Sequence, residues 1–240
     1  MRHSKAPNHE ARFPTTQWSL ILASQGDKAE RKAALTALCA SYWQPLYCYA
    51  RRKGQSTFEA EDAIQGFLTS LVESESTIDR LDPTRGKLRN FLKKSLKNYL
   101  LNEYSKQCAQ KRGGGAPVFS LDFEVAESAL SSVPDDPEVA YDRAWASQLV
   151  GVCLERLIAE YESGERTGPA AVLRDVFGFG DVPSHAEIAI AHGMTESQVK
   201  AFIHRARRRF RTLILGEVAN TVSAPTDVGD EVRRLFELLR

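Results

Sequence analysis

Apolar residues recur at intervals of three and four along most of the chain, and no stretch alternates with period two. That repeat lines one face of a helix with apolar side chains, whereas a half-buried strand needs alternation. Amphipathic helices bury their stripes against one another, so the expected fold is all-α. Leu35, Leu38, Cys39, Tyr42 and Leu46 form a first stripe, with Pro45 expected to bend that helix rather than divide it. After a turn at 53–56, Ala63, Phe67, Leu68, Leu71 and Val72 form a second stripe within 59–73. Leu88, Phe91, Leu92, Ser95, Leu96, Tyr99 and Leu100 line a third helix, from 87 to about 111. Further helices are expected at 137–163, 170–177, 184–191, 196–222 and 228–239.

Gly113-Gly114-Gly115-Ala116-Pro117 must stop the third helix. Residues 113–137 hold Gly, Pro, Ser and acids without periodicity, the composition of a flexible, extended acidic linker. The 240 residues then divide into a flexible N-terminus (1–14) and a first helical domain (15–112). The linker (113–137), a second helical domain (138–222) and a tail with a short helix (223–240) follow. Thr15-Thr16-Gln17-Trp18 opens the first domain, and 82–86 is a loop within it.

The net charge of +1 conceals a segregated distribution. Residues 85–112 carry nine Lys/Arg against Glu103 alone, a local net of +8, and 200–211 carry six Lys/Arg and no acid. The compensating acids lie in 59–82 and 122–142. The four cysteines have no C-x-x-C spacing and no His at a ligand spacing. They are expected to be reduced thiols of a cytoplasmic protein, Cys39 and Cys153 in cores, with no metal site and no cofactor. The N-terminus has no apolar run of a signal peptide, and no stretch reaches the ~20 apolar residues of a membrane span.

The most specific motif runs over 184–200. Ala189 is small where two helices must cross, and Gly193 can take the left-handed conformation of a tight turn. Met194 plugs the corner, Thr195 caps the next helix with Gln198 three residues on, and Ile188, Val199 and Phe202 face a core. These spacings describe a helix-turn-helix whose second helix enters the major groove. Its outer face would carry Glu196, Ser197, Lys200, Ala201, His204, Arg205 and Arg208. Ser197, Gln198, Lys200, Ala201 and Arg205 lie where such a helix meets bases and phosphates. A basic cluster alone is equally a solvated helix face, and His204 alone equally a surface histidine.

Residues 85–106 mix cations with Phe91, Tyr99 and Tyr104. A cationic track with π-faces suits single-stranded nucleic acid. Arg89, Lys93, Lys94 and Lys97 can follow a backbone, and Asn98 and Asn102 can offer amide groups to bases. Phe91 and Tyr99 lie on the apolar stripe, so core packing accounts for them as well.

Together these segments resemble the sigma-70 family of RNA polymerase sigma factors, in its two-domain extracytoplasmic-function branch. Glu59-Ala-Glu-Asp-Ala-Ile-Gln-Gly-Phe-Leu is similar to the family's Asp-Ala-Glu-Asp-x-x-Gln-x-x-Phe helix. The resemblance implies that Glu61, Asp62, Gln65 and Phe67 dock on core polymerase. Arg89-Asn-Phe-Leu with Asn98 and Asn102 resembles the segment that melts and reads the promoter −10 element. There Phe91 stands where Trp is common, and Asn102 where Asp is common. Residues 184–208 resemble the domain that reads the −35 element. Phe13-Pro-Thr-Thr-Gln-Trp-Ser-Leu and Asp82-Pro-Thr-Arg-Gly-Lys, with the Gly-rich 111–115 and the short last helix, are similar to a planctomycete-like subgroup. Two positions depart from the pattern. His192 replaces the usual Leu before the turn glycine. Gly66 sits within the docking helix, at about 1 kcal/mol relative to Ala, where a close approach to the polymerase would account for it.

The resemblance implies a factor that directs core polymerase to promoter DNA, melts it and starts transcription, with an anti-sigma factor or other regulatory protein as a further partner. The acidic linker would lie in the polymerase channel. A polymerase-independent helix-turn-helix regulator is the alternative; it leaves the first domain unexplained. No phosphate-binding loop, H-E-x-x-H or G-x-S-x-G occurs, so the chain is not expected to be an enzyme.

Overall fold

A computed structural model describes residues 28–73, 87–107, 121–130, 134–164, 168–177, 182–222 and 227–239. The expectations for 1–14, for a helix opening at 15–18, for the loop at 82–86 and for the break at 113–117 lie outside the described residues. The described residues are all-α and contain no strand. Their helices are α1 (Lys28–Arg52), α2 (Thr57–Glu73), α3 (Leu88–Gln107), α4 (Phe123–Ala129), α5 (Pro137–Glu162), α6 (Ala170–Phe177), α7 (His185–Ala191), α8 (Glu196–Ala219) and α9 (Val228–Leu238).

Local chemistry accounts for several of these boundaries. α1 runs unbroken through Pro45. At the start of α2, Ser56 N–H donates to Glu59 Oε2 (2.8 Å) and Glu59 N–H donates back to Ser56 Oγ (3.3 Å). This reciprocal pair satisfies donors that the first helical turn leaves open. α5 begins with Pro137 at its first position, and Asp136 accepts from the N–H groups of Glu138 (2.8 Å) and Val139 (3.1 Å).

The first stripe is a buried face, while Ala63 and Val72 of the second and Phe91, Ser95, Tyr99 and Leu100 of the third are half-buried at their margins. Leu35, Leu38, Cys39, Tyr42 and Leu46 are buried on α1, and Leu88, Leu92 and Leu96 on α3. On α2 the buried set is Ala60, Ile64, Phe67, Leu68 and Leu71. Gly66 has an internal explanation rather than the expected external one: a Cβ there would collide with Tyr99 Oη of α3. Tyr99 packs edge-on against Phe67, ring centroids 5.7 Å apart.

α5 is the axis of the molecule. Its first half packs on α1 and α3, where Trp145 is buried and Tyr141 Oη donates to the Arg89 carbonyl (3.0 Å). Its second half packs on α8, where Tyr161 meets Phe202 edge-on at 5.2 Å and Glu160 accepts from Arg209 Nε (2.8 Å). The buried apolar residues therefore form one connected cluster from Leu35 to Leu235.

The expectation of an extended linker over 113–137 is corrected for 123–129, which form α4. Asp122 caps α4, and Phe123 stacks against Trp43 (5.3 Å) and Tyr47 (5.2 Å) of α1. Arg51 binds Glu127 through Nε (3.0 Å) and Nη2 (2.7 Å). Two aromatic contacts and a forked ion pair give this short helix partners that composition alone does not reveal.

Candidate nucleic-acid interface

α7 and α8 are joined by residues 192–195. Ser184 and Glu187 close a capping box at the start of α7. Gly193 then adopts φ +63°, where a side chain is disfavoured, and Met194 N–H donates to the Ala189 carbonyl (2.9 Å). Thr195 Oγ1 accepts from Gln198 N–H (3.2 Å), and Gln198 Oε1 accepts from Thr195 N–H (2.8 Å). The Gln198 oxygen thus belongs to the cap, which withdraws it from base contact. His192 is not a loose substitute for Leu: its Nε2 lies 2.6 Å from Asp175 Oδ2, tying the turn to α6.

One face of α8 (Val199, Phe202, Ile203, Ala206, Leu213, Ile214, Val218) is buried. The opposite face exposes Glu196, Ser197, Lys200, Ala201, His204, Arg205 and Arg208, as the spacing implies, and continues through Arg211. From Ser197 to Arg208 this stripe spans ~16 Å at helical rise. Its cations, beside the small side chains of Ser197 and Ala201, suit the approach of an anionic groove. Glu196 and Lys200 are 3.7 Å apart and both exposed, so their attraction is slight. Arg209 alone of the basic cluster turns inward, onto Glu160.

On α3 the six expected contacts separate. Lys94, Lys97, Asn98 and Asn102 are exposed. Arg89 is not: it is 1% exposed, its guanidinium lies 4.3 Å from the Trp145 ring centroid, and Nη1 is 2.7 Å from Glu231 Oε1 of α9. Lys93 is held between Glu138 (2.8 Å) and Asp142 (3.4 Å) of α5. In this arrangement neither Arg89 nor Lys93 can follow a nucleic-acid backbone. The sequence marks them as cations on a helix; it does not mark which acids fold against them.

α2 also divides. Asp62 is exposed, Glu61 and Gln65 are half-buried, and Phe67 is in the core against Tyr99, which corrects its expected place on a docking surface. Phe58, not singled out from the sequence, is 79% exposed one turn before Asp62. The available signal was its position off the Ala60–Ile64–Phe67–Leu71 stripe.

Nothing nucleophilic emerges from the described thiols. Burial pushes the Cys39 and Cys153 thiols up to about 12 and Cys48 up to about 11, so all three stay protonated near neutrality. Among the described residues no group of three or more His, Cys, Asp or Glu is placed to hold a metal ion, and no helix is long and apolar enough to cross a membrane. Compared with protein-family models, with curated proteins and with solved structures, the chain has no match.

Proposed function

We propose that this protein is a sigma factor that binds core RNA polymerase and directs promoter recognition, DNA melting and transcription initiation. The observation that carries the reading is the pairing of two cationic helices in one chain. α8 presents an outward stripe from a capped turn, the form of a helix-turn-helix that enters the major groove. α3 presents Lys94, Lys97, Asn98 and Asn102 outward, chemistry suited to an unpaired strand. Duplex and single-strand surfaces are needed together where a promoter is both recognised and opened. The exposed Phe58 and Asp62 on α2 supply an apolar anchor beside a charge, the kind of surface that a protein partner such as core polymerase can cover.

One observation favours a polymerase-independent regulator instead: Arg89 and Lys93 are engaged within the fold, leaving α8 as the fuller cationic surface. Two measurements separate the readings. Run-off transcription with core polymerase over a randomised promoter library should yield start sites sharing an upstream and a −10 sequence. Copurification with core polymerase should be lost in Asp62→Arg combined with Gln65→Ala. Tight, sequence-specific footprinting by the chain alone, with no retention of polymerase, would decide for the regulator.

A further inference from the structure

We propose that the C-terminal helix α9 is a latch that closes the cationic N-terminal end of α3, so that nucleic acid and the Glu231 carboxylate of α9 compete for the same side chains. The inference rests on reading α3 as a nucleic-acid surface. Its observations are contacts among α3, α5 and α9.

Glu231, in the first turn of α9, is 2% exposed. Its carboxylate bonds Lys87 Nζ at the head of α3 and lies 2.7 Å from Arg89 Nη1. Arg234, one turn on, reaches Asp142 of α5 (3.2 Å), and Asp142 in turn approaches Lys93. Lys87, just before α3, and Arg89 and Lys93 on it are thus each matched by a carboxylate from α5 or α9. A carboxylate facing lysine and arginine has the charge and acceptor geometry of a backbone phosphate. Glu231 holds the position that a phosphate would take.

The energetic character of this contact fits a competitor better than a brace. Leu235 is fully buried and Val228, Val232 and Leu238 pack on the core, which is enough to seat α9. Sinking Glu231 and Arg89 with them removes two charges from water, and buried ion pairs often stabilise no better than apolar residues of similar volume. Among the described residues Arg89 Nε has no hydrogen-bond partner, so the charge is enclosed without full satisfaction. The departure of α9 would present Lys87 and Arg89, beside the indole of Trp145, next to the already exposed Lys94 and Lys97. A ligand favours the open state by as much as it binds that state better.

Fluorescence anisotropy of a labelled single-stranded DNA oligonucleotide, titrated with the full chain, tests the latch. Glu231→Gln removes the charge while keeping the shape, and should bind roughly tenfold tighter at low salt, with a salt slope steeper by about one to two. Arg234→Glu, a surface change that repels Asp142, should move affinity the same way and stands in if Glu231→Gln fails to fold. Glu237→Gln makes the same charge change on the exposed face of α9 and should stay at the wild-type value. An equal gain in Glu237→Gln would reduce the effect to net charge and overturn the latch. Hydrogen exchange of the α9 amides reports opening without DNA and should quicken in Glu231→Gln and Arg234→Glu. Unchanged exchange and unchanged affinity would overturn the latch and leave the reading of α3 standing. Faster exchange without tighter binding would overturn the nucleic-acid reading of α3, and the proposal with it.

Discussion

Thr195 is a small side chain with a structural effect on the whole of α8. Its hydroxyl closes the first turn, and that turn aims the cationic stripe. Thr195→Ala should cost about 1 kcal/mol, and Thr195→Ser much less, read from urea midpoints. Equal losses in both would mean that the γ-methyl, not the oxygen, matters. Gly66 makes a second comparison possible. Gly151, in the exposed middle of α5, has nothing near where a Cβ would stand. Gly151→Ala should therefore stabilise by about 0.5–1 kcal/mol. Gly66→Ala gains the same helix propensity but pushes Tyr99 off Phe67, and should stay at or below wild type. Equal gains at the two sites would show that Tyr99 yields without cost. At this scale the sequence was legible where the chemistry is local: the cap at Thr195 and the turn at Gly193 need only neighbours in the chain. Gly66 was not, because its reason lies on another helix.

Helices were legible wherever an apolar stripe was long. The stripes on α1 and α3 follow from periodicity, and the start of α8 follows from its cap. α4 was missed because seven residues are too few to display a stripe, and its stability comes from α1. That docking has a pH signature. Hydrogen bonds from Arg51 hold the Glu127 carboxyl below its usual range, opposed by burial and helped by the Tyr47 hydroxyl (2.6 Å). A carboxylate depressed in the folded state contributes stability above the ordinary value of about 4.3. The contribution is lost as pH falls through the lower, folded value. Glu127→Gln should therefore be less stable than wild type at pH 7. The difference should shrink away as pH falls through that lower value, in acid titrations followed by circular dichroism. A difference independent of pH would show that packing, not charge, holds α4.

The whole molecule is organised by α5, whose first half meets α1, α3 and α9 and whose second half meets α6 and α8. Elements that share such an axis should not melt separately. Far-UV circular dichroism and tryptophan fluorescence should report one coincident thermal transition. Two resolved transitions would show that the halves on either side of α5 are energetically independent. Charge follows the same organisation. The net charge is near zero because acids and bases are nearly equal in number, and the fold sets several of them against one another: Glu127 on Arg51, Asp142 on Lys93 and Arg234, Glu160 on Arg209. The face of α8 that keeps its cations outward is therefore set by which residues α5 does not reach.

By itself the sequence determined what depends on neighbours within about one helical turn: the all-α class, the apolar stripes of the long helices, the capped turn before α8 and the outward stripe of α8. Each follows from a repeat of three to four residues or from a cap that bonds three residues on. Only the tertiary structure decided which charges are spent inside the fold. Arg89 and Lys97 look alike along the chain, two turns apart on one helix. One is buried because Glu231, more than a hundred residues away in sequence, folds against it; the other is exposed, with no acid folded against it among the described residues. Pairing between distant charges leaves no periodic trace, so it becomes visible only when the helices are packed.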